Sequence, residues 1–187
     1  MRRKRIWTAF TVVVGLCLAL TPRSSDAAAA KAKYRAEIPS TGSGPSFVFL
    51  TIRDWTPDAE AKALGATLKT GGVDAAKKAI EKMNMGYIAM VGTFGWPVNV
   101  ARTYPGPNGG QQIVLVTDRP IGFVEGMAEG ASMDYPFGVV MLNVDSSGKG
   151  TGTMVSRCRI TIDPATGKVD IDPFRTGTMS LVGVRPE

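Results

Sequence analysis

The chain has 187 residues, 22 Lys+Arg against 16 Asp+Glu, no histidine and two cysteines. That length suits one domain, and 44% hydrophobic residues are enough to build a core. The lack of histidine excludes a Ser-His-Asp triad, a Cys-His nucleophile and imidazole zinc ligation, and two cysteines exclude a multi-cysteine metal or iron–sulfur site.

Residues 1–30 read as a secretory signal peptide. Arg2, Arg3, Lys4 and Arg5 form a basic head, Ile6 to Leu20 an apolar run, and Ala27 to Ala30 a small-residue cleavage region. Fifteen residues of helix span about 22 Å, short of the ~30 Å hydrocarbon core, so no stable membrane span is expected after cleavage. Cleavage near Ala28 removes five basic residues and one acidic residue, and the net charge falls from +6 to +2. A near-neutral mature chain without a basic stripe argues against a nucleic-acid partner. The expected location is periplasmic or extracellular. Cys17 falls in the apolar run, leaving Cys158 as a lone thiol with no partner for a disulfide.

Residues 31–45, with Pro39, Gly42, Gly44 and Pro45, read as a flexible lead-in. Residues 46–187 read as a single β-rich domain. Its first strand is Ser46–Trp55, by alternation of Val48, Leu50 and Ile52 with Phe47, Phe49 and Thr51. A helical hairpin is expected over 56–84. Thr56 is the expected N-cap and Pro57 the first helical residue, and Ala61, Leu64 and Leu68 recur at helical spacing. Gly71-Gly72 is expected to end that helix, and a second, from Asp74, to carry Ala76, Ile80 and Met83 on one face.

From Met85 the pattern is β. Strands are expected at Met85–Gly92, Pro97–Tyr104, Gln111–Asp118, Ile121–Glu125, Phe137–Asp145, Thr151–Ile162, Lys168–Phe174 and Thr178–Arg185. Short Gly- and Pro-rich links require antiparallel neighbours. Matching like faces across the turn after Ile162 pairs Arg159 with Asp170 and Arg157 with Asp172, and sets Cys158, a small buried apolar residue, against Ile171. Ile113-Val114-Leu115-Val116 and Val139-Val140-Met141-Leu142 are apolar on both faces, so one side packs inside the β structure and the helical hairpin covers the other. The expected fold class is mainly β (α+β): an antiparallel barrel of eight or nine strands, or a strongly curved sheet, because closure removes exposed edges; a two-sheet sandwich is the alternative.

No motif carries a reaction. Asn143 to Gly148 begins like a calcium loop, but the twelfth position is Met154 rather than a bidentate glutamate, so it reads as a hairpin turn. Gly148-Lys149-Gly150 and Gly167-Lys168 lack the remaining residues of a phosphate loop. No metal or cofactor is expected. Thr117 to Phe123 reads as a rigid corner built on Pro120. The aromatics Trp55, Phe94, Trp96, Tyr104 and Tyr135 fall near strand ends, where rings line openings for small apolar or sugar ligands or plug a core.

The blocks TDRPIGF (Thr117–Phe123), DYPFG (Asp134–Gly138) and DSSGKGTGT (Asp145–Thr153) resemble a family of small exported, uncharacterised bacterial proteins of acidobacterial type. The resemblance implies export and a single domain, and no activity travels with it.

The leading expectation is a non-enzymatic exported β domain that buries a small, partly apolar ligand or a surface component in its interior. Trp55, Trp96, Arg102, Arg119 and Tyr135 are the ligand-binding candidates, with Arg102, Arg119 and Tyr135 at the mouth. One alternative is a histidine-free enzyme using paired carboxylates, as in glycoside hydrolysis, from Asp118, Glu125, Glu129 and Asp134. Another is an oligomeric structural or interaction module.

Overall fold

The computed structural model describes residues 31–39, 44, 46–122, 134–163, 165–175 and 177–187. Ten strands run in chain order: β1 (Ala32–Ile38), β2 (Ser46–Ile52), β3 (Gly86–Met90), β4 (Trp96–Val98), β5 (Val100–Pro105), β6 (Gln111–Thr117), β7 (Phe137–Val144), β8 (Gly150–Ile162), β9 (Val169–Pro173) and β10 (Thr178–Pro186). One helix, α1 (Asp58–Ile80), lies between β2 and β3. The strands form one antiparallel sheet in the order β4-β3-β2-β1-β10-β8-β7-β6-β5, a nearly closed nine-strand barrel, with β9 paired to β8 off that path.

Period-2 alternation sorts the apolar residues into two cores. Ala36, Val48, Leu50, Ile52, Ile88, Val98, Ile113, Leu115, Val140, Leu142, Met154 and Leu181 fill the barrel interior, each at most 1% exposed. Phe137, Val139, Met141, Val155 and Cys158 face outward under α1, where they meet Leu64, Leu68, Val73, Ala76 and Ile80. This explains the double-sided hydrophobicity of β7, in which every residue except Asn143 is buried. Full burial of a Val or Leu side chain contributes ~1.5–3 kcal/mol, so the two cores account for much of the driving force.

Three sequence expectations need correction. The stretch read as a flexible lead-in holds β1, whose Ala36 is buried and whose seven residues pair in register with β2; Ala32, Tyr34, Ala36 and Ile38 alternate with Lys33, Arg35 and Glu37, a period-2 signal that the nearby Pro39, Gly42, Gly44 and Pro45 outweigh at sequence level. The helical region is a single helix rather than a hairpin. The expected interruption does fall at Gly72, the one residue inside α1 with non-helical geometry (φ 73°, ψ −166°), but it is a kink within one helix, and residues on both sides pack on the same sheet face. Thr56 is not the N-cap: Pro57 takes that position, and the Thr56 hydroxyl accepts the Ala101 N–H at 3.1 Å instead.

The β8–β9 register also differs. Arg159 opposes Asp172, Thr161 opposes Asp170, Ile160 opposes Ile171 and Cys158 opposes Pro173. The shift of two residues preserves every face. Its cause is the Asp163 carboxylate, which accepts the N–H groups of Ala165 and Thr166 at 2.8 and 2.9 Å, lengthening the loop before Asp163 N–H closes on the Lys168 carbonyl. Along β8 itself the alternation breaks at a bulge: Val139 opposes Val155 but Phe137 opposes Cys158. Met154 therefore faces the barrel interior, while Val155 and Cys158 both lie in the core under α1.

The span expected as one strand, Pro97–Tyr104, is divided at Asn99 into β4 and β5, the two ends of the sheet. Asn99 N–H donates to Val116 O at 2.9 Å, and Thr56 N–H donates to Ala101 O at 2.9 Å, which ties the two edges of the seam. Ile121 and Gly122 are not in a strand; the remainder of the strand expected at Ile121–Glu125 lies outside the described residues, as do residues 1–30. No described helix is long and apolar enough to cross a membrane.

Candidate functional site

Among the described residues, nothing packs against the tip of the β3–β4 hairpin. Thr93 closes it: its hydroxyl donates to Met90 O at 2.9 Å and accepts Met90 N–H at 3.1 Å. Gly95 sits at φ 81°, and a Cβ there would come within 2.7 Å of the Ile88 carbonyl, so only glycine permits this return. The tip presents Phe94 fully exposed and Val91 68% exposed. Behind it Arg53, Asn84, Tyr87, Phe94, Trp96 and Pro97 line an open depression of about 420 Å³. The Arg53 guanidinium lies 5.3 Å from the centre of the Tyr87 ring. The depression thus offers three aromatic rings, one guanidinium and one side-chain amide, which suits stacking on a ring-shaped ligand with hydrogen bonds at its rim.

Of the residues singled out from sequence, Trp96 lines this depression and is also packed, half-buried, against the barrel core. Trp55 packs partly buried against the barrel core. Arg102 is held at the seam, donating through Nη1 to Thr56 O at 2.8 Å and pairing through Nη2 with Asp58 at 2.6 Å. That contact holds the Asp58 carboxyl below its usual value, by its hydrogen bond first and its charge second. Arg119 grips Asp118 with Nε and Nη2 at 2.8 and 3.0 Å, and the hydrogen bond raises the Arg119 pKa. Asp118 is 5% exposed, and Asn99 accepts its backbone N–H. Its carboxylate is thereby committed to a neighbour rather than presented to a substrate.

Tyr135 joins a different group. Its hydroxyl donates to Asp172 at 3.3 Å, its ring lies 5.1 Å from that of Phe174, and Arg159 both stacks on it at 5.4 Å and pairs with Asp172 at 2.9 Å. Asp134 precedes Tyr135 on the exposed approach to β7. Glu125 and Glu129 lie outside the described residues. Arg102, Arg119 and Tyr135 hence belong to three separate polar networks among the described residues, not to one mouth. No group of three His, Cys, Asp or Glu side chains among the described residues could hold a metal ion.

Sequence reasoning missed Arg53, Asn84, Tyr87 and the prominence of Phe94. The available signal was Gly92-Thr93-Phe94-Gly95-Trp96-Pro97: a large ring bracketed by glycines in a turn has no neighbours to bury it. Comparison with protein-family models, with curated proteins and with solved structures gives no match to this chain.

Proposed function

We propose that the chain is an exported, non-enzymatic β-barrel module that binds a small, partly apolar ligand, a sugar ring foremost, on the outer depression formed by Tyr87, Phe94 and Trp96. The observation that carries this reading is Phe94, a fully exposed ring held on a glycine-bracketed tip beside two more rings and the polar groups of Arg53 and Asn84. Exposed aromatic surface collects where something else covers it. The interior favours this placement over an internal site, because Leu50, Ile52, Ile88, Ile113, Leu115, Leu142, Met154 and Leu181 already occupy it. The carboxylate-enzyme alternative gains less support, since Asp118 is tied to Arg119.

Titration with neutral oligosaccharides, followed by tryptophan fluorescence, tests the reading. A saturable shift that disappears in Trp96→Ala and weakens in Phe94→Ala, with both variants folded, is expected. No shift at millimolar sugar overturns it. In that event the apolar tip of Val91 and Phe94 favours an oligomeric interaction module, and sedimentation of the wild-type chain against Phe94→Ser decides that reading. Export rests on residues 1–30 and on the family resemblance; N-terminal sequencing of protein recovered from the periplasm or medium checks it.

A further inference from the structure

Among the described residues, one outer face of the sheet is uncovered. Helix α1 covers outward residues of β5 to β8, and leaves those of β10, β1, β2 and β3 open. The register places two rows of side chains across these strands. One runs Arg185, Arg35, Phe49, Ala89; the next, two residues along, runs Lys33, Thr51, Tyr87, Pro97. Arg53 overhangs the end of the second row, on the Tyr87 ring. Arg35 lies flat on Phe47, 3.9 Å from the ring centre, and 5.9 Å from that of Phe49, with its Nε covered and without a hydrogen-bond partner.

Four cations therefore share this face with two acids: Glu37, opposite Phe47 and Val182, and Glu187, which follows the same register to lie opposite Lys33 and donates its N–H to the Lys33 carbonyl at 3.1 Å. Among the described residues none of Lys33, Arg35, Arg53 or Arg185 takes part in an ion pair, whereas Arg102, Arg119 and Arg159 all do. With strands about 4.8 Å apart, the rows from β10 to β4 make a track of about 20 Å. It leads into the ring depression at Tyr87 and Trp96.

We infer that this face is the docking track for an acidic polysaccharide, a glycan chain carrying carboxylates, which extends from the ring depression across β3, β2, β1 and β10. Charge complementarity selects an anion. The guanidinium of Arg35 is oriented by its rings, and that of Arg53 is placed over Tyr87, ready for carboxylates. The length of the track selects a chain over a single headgroup. Its continuity with the ring depression, where Tyr87 and Phe94 are exposed and Trp96 is half-buried, selects sugar units, whose apolar faces stack, over a lipid surface. The inference rests on the ring depression as the sugar-binding end and adds the polymer and its charge.

Calorimetric titration of the full chain with polygalacturonate, and with the same backbone fully methyl-esterified, is the test. Polygalacturonate is expected to bind at low salt and to lose roughly tenfold in affinity toward physiological ionic strength, as screening of exposed charges requires. Lys33→Gln/Arg185→Gln, two exposed positions outside the ring depression, is expected to weaken polygalacturonate binding by a similar factor and to leave neutral-sugar binding unchanged. Absence of polygalacturonate binding, equal affinity for the esterified polymer, or an unaffected double variant overturns the inference. So does tighter binding to phosphatidylglycerol vesicles or to oligo-dT. Retained neutral-sugar binding alongside any of these leaves the ring-depression reading standing, and loss of neutral-sugar binding alone overturns that reading instead.

Discussion

Asn99 accepts the backbone N–H of Asp118 at 2.8 Å while its amide donates to the carbonyls of Ile80 and Met83, both at 3.0 Å. One buried side chain thus joins the last turn of α1, the strand crossing at the seam and the corner that follows β6. The carbonyls at a helix C-terminus have no intrahelical partner, so a buried helix end needs such a donor. Asn99→Ala leaves three polar groups unsatisfied, and a loss of about 2–4 kcal/mol is expected in urea unfolding. Asn99→Asp keeps the shape but removes both donors and is expected to be at least as damaging. Unchanged stability in both would show that the seam closes without this residue.

Gly138 is held by close approach. A Cβ there would stand 2.6 Å from Ile121 Cγ1 and 2.7 Å from Thr117 Oγ1. Thr117 Oγ1 accepts the Gly138 N–H at 3.1 Å and donates to the Arg119 carbonyl, and Ile121 is 1% exposed in the barrel core. Gly138→Ala is expected to cost about 1–3 kcal/mol through overpacking. Adding Ile121→Ala should recover part of that loss, although alone it destabilises. Simple additivity of the two effects in a double-mutant cycle would place the clash elsewhere.

Cys158 is fully buried under α1, and burial first, with the nearby Asp172 charge second, pushes its thiol up from 9.0 to about 12. The folded state therefore holds the proton that the unfolded state releases. Stability linked to this group is complete below pH 9 and is lost as pH rises toward 12, with a slope of at most about 1.4 kcal/mol per pH unit. Cys158→Ala should flatten this alkaline decline. Native protein should resist thiol alkylation at pH 8 and react once denatured. Rapid native alkylation would contradict the burial.

The carboxyls of Asp145 and Asp163 are held below their usual value of 3.8. For Asp145 the Ser147 hydroxyl leads, and for Asp163 the backbone N–H of Thr166. Because folding lowers these values, the linked stability is present above pH 3.8 and disappears as pH falls further. Asp163→Asn retains an acceptor for the loop and should reduce the acid sensitivity of the melting temperature. Asp163→Ala should lower the melting temperature at neutral pH as well, with the loop losing the bonds that set the β8–β9 register.

Some of this was legible from residues alone. Two-sided hydrophobicity in Ile113–Val116 and Val139–Leu142 required a strand covered on both faces, and the structure places the barrel interior on one side and α1 on the other. Short turns required antiparallel neighbours, and parity put Arg157, Arg159 and Asp172 on one face of the β8–β9 ribbon. These are local properties: the two-residue period and the reach of a short loop hold wherever the strand ends up. What local pattern could not supply was decided by long-range contacts. β1 alternates like any strand, but its place between β2 and β10 rests on pairing with a segment at the far end of the chain. A bulge at β8 turned Val155 to the same side as Cys158. The candidate site followed the same rule: Trp96 was visible as a ring near a strand end, but Arg53, Asn84, Tyr87 and Phe94 surround it only because antiparallel pairing of β2, β3 and β4 brings residues over 40 positions apart onto one surface.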